Sequence, residues 1–251
     1  MPKNESKFVN PILFGYMTVP WGLSGGFVSV ALPFILVNQG FSVGEAATVT
    51  AAGLSANIYR FIWVPIVDLS LSLNKWYLIA VSLCSISLLS IILVPLDVQN
   101  KAILMVVVFI SQVAGAFSSA PLGGFMAKLV KDSQKGRASG MYQAGNLGGI
   151  GSVGCLGLWI TEHYSYLTAL LLIVGLCSLC TCTLFFLPKI SAIKGDVKRR
   201  FKIIVLDLKG LFSNKISIYT TILMTTPIAV GAVASMWSSI ADQWNVLPDT
   251  T

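Results

Sequence analysis

Seven runs of apolar residues, each long enough to cross a bilayer as a helix, decide what this chain can fold into. They cover residues 12–37, 43–67, 77–94, 102–125, 138–160, 166–187 and 216–240. A hydrocarbon core of ~30 Å takes about 20 predominantly apolar helical residues to span. Inside it every backbone N–H and C=O must find its partner within the protein, which selects helices for runs of this length. Composition agrees: 55% of residues are hydrophobic and 11% charged, with a mean hydropathy of +0.80, against roughly 25% charged residues in soluble domains. The expected fold class is an all-α, polytopic membrane protein. Residues 1–10 are polar, but the run after them exceeds the roughly 7–15 apolar residues of a signal-peptide core, so the first helix is expected to persist in the mature chain.

The net charge of +7 does not point to nucleic acid, because the basic residues sit in particular loops rather than on one soluble face. Lys3 and Lys7 precede the first run, Lys75 lies in the second loop, and Lys128, Lys131, Lys135 and Arg137 lie in the fourth. Eight more fall in the sixth loop. Alternate loops hold only Lys101, and Arg60 lies within a run. Basic flanks are retained on the cytoplasmic side during insertion, so the N-terminus and the long sixth loop are expected there.

This order divides the chain into a six-helix transmembrane bundle over residues 1–188, a basic cytoplasmic linker over 189–215, and a seventh helix opening a second bundle over 216–251. In the linker Val197, Phe201, Val205, Leu208 and Phe212 recur at helical spacing, the pattern of a helix lying among headgroups, although a solvated basic linker has the same charge. Helix seven echoes helix one: Thr18, Val19 and Pro20 align with Thr225, Thr226 and Pro227 at an offset of 207, which also carries Asn38 onto Asn245. Duplication of this kind is common in transporters. Ser42 and Glu45 form a capping-box pattern opening helix two, and Asp249 occupies the position equivalent to Ser42. The chain therefore ends where an eighth helix would begin, and a longer parent of about twelve helices is expected.

The segment Tyr59-Arg60-Phe61-Ile62-Trp63-Val64-Pro65-Ile66-Val67-Asp68 is the most informative. An Arg within a membrane helix costs roughly 2.5–3.5 kcal/mol on insertion scales, so it faces protein or water, or snorkels to the interface. On a helix Asp68 would lie about 12 Å from Arg60 and turned by about 80°, so the two need not pair directly. Pro65 removes a hydrogen bond between them, which suits a flexing gate or simply shapes a helix end.

The pattern basic-Phe-x-Trp-x-Pro-x-x-Asp resembles the helix-two signature of the branch of the major facilitator superfamily that includes muropeptide permeases and acetyl-coenzyme A transporters. The likeness extends through Lys135-Gly136-Arg137-Ala138-Ser139-Gly140 into the Gly-rich helix after it. It implies a twelve-helix, two-bundle fold with alternating access, a secondary transporter for a small organic solute, and Arg60, Trp63, Pro65 and Asp68 as a gating motif. A bacterial inner membrane follows by the same analogy. Leu69 stands where that branch commonly has a basic residue, and Ser118, Ser119 and Gly123 stand where some members have acidic ones. A proton is the candidate coupling ion, yet no carboxylate falls at mid-membrane depth in any of the runs.

Helix five carries Gly140, Gly145, Gly148, Gly149, Gly151, Gly154 and Gly157, small residues that allow close static packing or sliding. Polar side chains at membrane depth should face the bundle interior, which nominates Tyr16, Trp21, Asn57, Gln112, Tyr142, Gln143 and Asn146 as substrate-binding candidates. Pro20, Gly22, Gly25, Gly26 and Pro33 should interrupt or bend helix one. Cys177 and Cys180 have a redox-pair spacing, but all five cysteines lie in apolar runs and read as packing residues. No metal and no cofactor is expected. With one histidine, His163, in an outer loop, and no nucleophile–base or metal spacing, an integral-membrane enzyme is disfavoured. A half-length, non-transporting partner subunit is the other alternative.

Overall fold

A computed structural model of the chain describes residues 8–60, 67, 71–190, 202, 205–206, 209–210 and 213–225. The helices, in order, are α1 (Ile12–Asn38), α2 (Val43–Ser55), α3 (Leu73–Leu93), α4 (Lys101–Leu129), α5 (Lys135–Ser152, carried on through Val153–Gly157 and Leu158–His163), α6 (Tyr166–Phe186) and α7 (Lys215–Thr225). Among the described residues, α1, α3, α4 and α6 are each long and apolar enough to cross a membrane. Helix α5 is as long, but its glycines and polar residues lower its hydropathy, and α2 leads into residues outside those described. The protein is an all-α, multi-pass integral membrane protein.

Local chemistry sets several helix ends. Ser42 accepts from the Glu45 amide while the Glu45 carboxylate accepts from the Ser42 amide, so the expected capping box is formed. Ser72 and Ser165 cap α3 and α6 through the amides of Lys75 and Thr168. Gly40, at φ 91°, makes the turn between α1 and α2 in the left-handed region that favours glycine.

Two expectations about helix geometry are corrected. Pro20 sits inside an unbroken α-helical stretch; the interruption in α1 is a π turn at Phe27–Ala31. Pro33 explains it, because a proline supplies no N–H to the Ser29 carbonyl and its ring crowds that carbonyl, so the ladder widens just before it. Helix two, expected to run unbroken through residue 67, leaves α geometry after Ser55. The amides of Ala56, Asn57, Ile58 and Arg60 bond three residues back, and the Ser55 hydroxyl bonds the Ala52 carbonyl at 2.6 Å. Serine back-bonding of this kind bends helices.

Helix α1 is the hub, packed against α4, α5 and α6. Its seam with α5 is glycine on glycine. A Cβ at Gly22 would run into the Asn146 carbonyl, one at Gly145 into the Gly15 carbonyl, and one at Gly149 would lie 2.9 Å from the Gly22 Cα. In lipid, close backbone approach replaces the hydrophobic effect as the source of helix association. The other predicted glycines divide differently: Gly140, Gly148 and Gly151 face open space, and Gly154 and Gly157 meet only valine side chains.

Buried polar groups tie the remaining helices to α1. The Tyr77 hydroxyl on α3 donates to the Met17 carbonyl at 3.0 Å, and Gln112 Nε2 on α4 donates to Ser24 O and Oγ at 3.2 and 3.1 Å. The Thr50 hydroxyl on α2 reaches the Val28 carbonyl inside the π turn at 3.4 Å. At one end of the bundle, Val9 N bonds Leu129 O at 3.0 Å, and Asn74 holds both Pro188 O and Ile190 N. Helices α3 and α6 turn Leu78, Leu83, Ile86, Leu171, Leu172 and Leu176 outward, as lipid contact requires.

Of the linker pattern, Val205 is helical, whereas Val197, Phe201, Leu208 and Phe212 lie outside the described residues, as do Thr226, Pro227, Asn245 and Asp249 of the internal repeat.

Candidate functional site

The one Arg among the apolar runs is drawn into the bundle. Its backbone follows the tightened turn after α2, and its side chain reaches across to two other helices. Arg60 Nη2 donates to Ser119 Oγ of α4 at 2.5 Å, and the guanidinium carbon lies 4.8 Å from the ring centroid of Trp21 on α1. A cation over an indole face gains about 0.5–1 kcal/mol in exposed sites and ~2 when desolvated. Ser119 is buried and passes its own proton to the Ala116 carbonyl at 2.8 Å, so its oxygen is oriented to accept from Arg60. Tyr142 of α5 packs against the other partner, its ring centroid 6.0 Å from that of Trp21 and tilted by 46°.

Depth can be read along two helices whose ends are bonded together. Trp21 lies about 14 Å along α1 from Ile12, and Ser119 about 15 Å along α4 from Leu129. Since Val9 and Leu129 share a hydrogen bond, these starting points are level. The guanidinium therefore lies near the middle of a ~30 Å hydrocarbon core rather than at its rim.

The structure brings together Arg60, Trp21 and Tyr142 of the predicted residues. Tyr16, Asn57 and Gln143 are exposed on the same three segments, and Pro20 leaves the Tyr16 carbonyl without its usual helical donor. Asn146 is half-buried and lends its backbone to the Gly22 contact. Gln112 is buried, with its amide committed to Ser24, so it holds α4 to α1 and presents nothing to a solute. Trp63, Pro65 and Asp68 lie outside the described residues.

Ser119 is the member that reading the sequence did not select. The available signal was two adjacent hydroxyls, Ser118 and Ser119, just before a mid-helix proline, Pro121; only the fold shows which one meets Arg60.

The cysteines divide by burial rather than by spacing: Cys84 and Cys177 are buried, Cys155 and Cys182 exposed. Cys177 directs its thiol at the Pro20 carbonyl at 3.9 Å, a packing contact between α6 and α1. His163 ends α5, stacked on Trp159 at 4.7 Å and bonded to its carbonyl. Among the described residues no three His, Cys, Asp or Glu side chains converge on a metal-sized site.

These features define a polytopic helical membrane protein whose bundle holds a guanidinium at mid-depth beside an open polar face. The family model described as the Major Facilitator Superfamily matches residues 12–245, and the chain belongs to that superfamily of membrane transporters. No curated protein matches it.

Proposed function

We propose that this chain carries out secondary transport of a small organic solute by alternating access, with Arg60, Trp21 and Tyr142 among the groups the solute meets. The observation that carries this reading is the engaged guanidinium at mid-membrane depth. A charge there is costly, and in membrane proteins such residues mark substrate or ion pathways. Tyr16, Asn57 and Gln143 extend the polar surface beside it.

Residues 1–188 form the first bundle in this reading, 189–215 a cytoplasmic linker, and 216 onward the start of a second bundle. The distribution of Lys and Arg supports a cytoplasmic N-terminus. The helix-two pattern from Arg60 to Asp68 supports placement near the muropeptide permease and acetyl-coenzyme A transporter branch, in a bacterial inner membrane. Protons are the coupling ion to test first.

The test is uptake into vesicles carrying wild-type protein, Arg60→Ala or Asp68→Asn, across muropeptides and acyl-coenzyme A compounds, with and without a proton gradient. Gradient-dependent uptake of one solute, lost in either variant, is the expected outcome. Folded wild-type protein that moves none of them, under either condition, defeats the reading.

A further inference from the structure

We infer that the transported solute carries an anionic group, a carboxylate or a phosphate, and that Arg60 binds it in the plane of its guanidinium while Trp21 covers one face. This rests on the transporter reading and names the chemistry of its substrate.

The argument begins with charge balance. Among the described residues the ion pairs are Lys101–Glu45 at 3.3 Å and Lys135–Asp132 at 2.7 Å, and neither involves Arg60. The described contacts of Arg60 are neutral: a hydroxyl and an indole ring. An arginine remains charged at every accessible pH and offers five N–H donors in a flat fork. Ser119 accepts from one of them. The Trp21 ring takes up a face of the guanidinium, not its edge, so the in-plane donors stay directed sideways.

That geometry selects a ligand. Planar or tetrahedral oxyanions accept two parallel N–H bonds from a guanidinium, and the charge-assisted pair is roughly twice as strong as a neutral one. A neutral hydroxyl or amide meets one donor at most and leaves the charge uncompensated. Holding the fork against Trp21 and Ser119 before the solute arrives reduces the ordering cost of binding. The site is half-buried and adjoins Asn57 and Gln143, which are exposed and able to bond the uncharged remainder of a solute.

The experiment uses the chain purified in detergent and solutes in matched pairs: muramyl dipeptide with its methyl ester for the carboxylate arm, N-acetylglucosamine 1-phosphate with N-acetylglucosamine for the phosphate arm. Binding is read from the shift in thermal unfolding and from tryptophan fluorescence. At least one anion should bind ten or more times tighter than its neutral twin, and the arm that responds identifies the oxyanion. Arg60→Lys should weaken that anion about tenfold, since it keeps the charge but loses the fork, and Arg60→Gln should abolish the preference. The wild-type pairs decide the matter even if Arg60→Gln does not fold.

Equal binding of a neutral twin overturns the inference, as does no shift from any anion. So does restoration of an unstable Arg60→Gln by Asp68→Asn, which would identify an internal ion pair. Uptake of a neutral solute that Arg60→Gln leaves intact would sink the anion site while transport itself stands; absence of all uptake would sink the transporter reading instead.

Discussion

Leu172 on α6 and Tyr16 on α1 are exposed to a similar degree, 50% and 58%, yet they face different surroundings. Around Leu172 the outward residues of α3 and α6 are leucine and isoleucine. Around Tyr16, on α1, α2 and α5, they include Asn57, Gln143 and the half-buried Arg60, mixed with small residues such as Gly140 and Gly148. Exposure alone does not tell the two sides apart; the chemistry of what is exposed does. An apolar side needs no partner in hydrocarbon, whereas unpaired amides and a guanidinium cost several kcal/mol each there. The second side therefore faces water, protein or a solute.

The most direct way to break this comparison is to place a charge on each side. Leu83→Arg or Leu172→Arg should destabilise the protein by roughly 2.5–3.5 kcal/mol, the cost of an arginine at the centre of a lipid-facing helix. Gln143→Arg should change stability by ~0.5 kcal/mol, as at an ordinary surface position. Folded yield and thermal unfolding in detergent and in lipid measure both. Equal losses would mean that the polar side is as lipid-exposed as the apolar one.

Helix α5 sharpens the same contrast within one element. A leucine at Gly149 must push α1 away, because even a Cβ there lies 2.9 Å from the Gly22 Cα. The expected loss is about 1–3 kcal/mol or more. A leucine at Gly148, one residue along, meets open space within this chain and should cost about 1 kcal/mol or less. If Gly148→Leu retains folding but impairs uptake, that face of α5 meets something during transport. Smaller effects are expected where polar groups only tie helices together. Tyr77→Phe deletes the bond to the Met17 carbonyl and should cost ~0.6 kcal/mol, the average for interhelical hydrogen bonds in membranes.

Much of this arrangement was legible before any coordinates. Period and length gave the helices, because a bilayer imposes one length and one backbone solution, and Ser42 with Glu45 announced the start of α2. The glycines of α5 were visible, but which of them touch α1 depends on helix rotation and crossing, to which the apolar pattern is blind when every face is apolar. The same blindness nominated Gln112, a polar residue at the right depth whose partner, Ser24, stands 88 positions earlier. Pro20 and Pro33 looked alike in the sequence. The ladder yields at Pro33, where a π turn forms and Thr50 bonds a carbonyl within it, whereas the helix around Pro20 is clamped by α5 and α6.

The smallest predicted effect sets one cation against another. Lys135, at the start of α5, meets Asp132 in water. Asp132 is fully exposed, and the hydrogen bond from Lys135, with its charge, holds the carboxyl below its ordinary 3.8. A carboxyl with a lowered folded value contributes stability above its unfolded value and loses that contribution as pH falls through the folded one. The loss is thus confined to pH below 3.8, and exposed pairs of this kind contribute little in salt. Asp132→Asn should therefore leave the melting temperature at pH 7 almost unchanged and remove a slight pH dependence in acid, as thermal unfolding at both pH values would show. Arg60 differs in each respect. It sits where salt does not screen, its described partners carry no charge, and its protonation does not change in that range. If Asp132→Asn proved as disruptive as Arg60→Gln, mid-membrane placement would confer no special weight on a cation, and the distinction between the two sides of the bundle would lose its energetic basis.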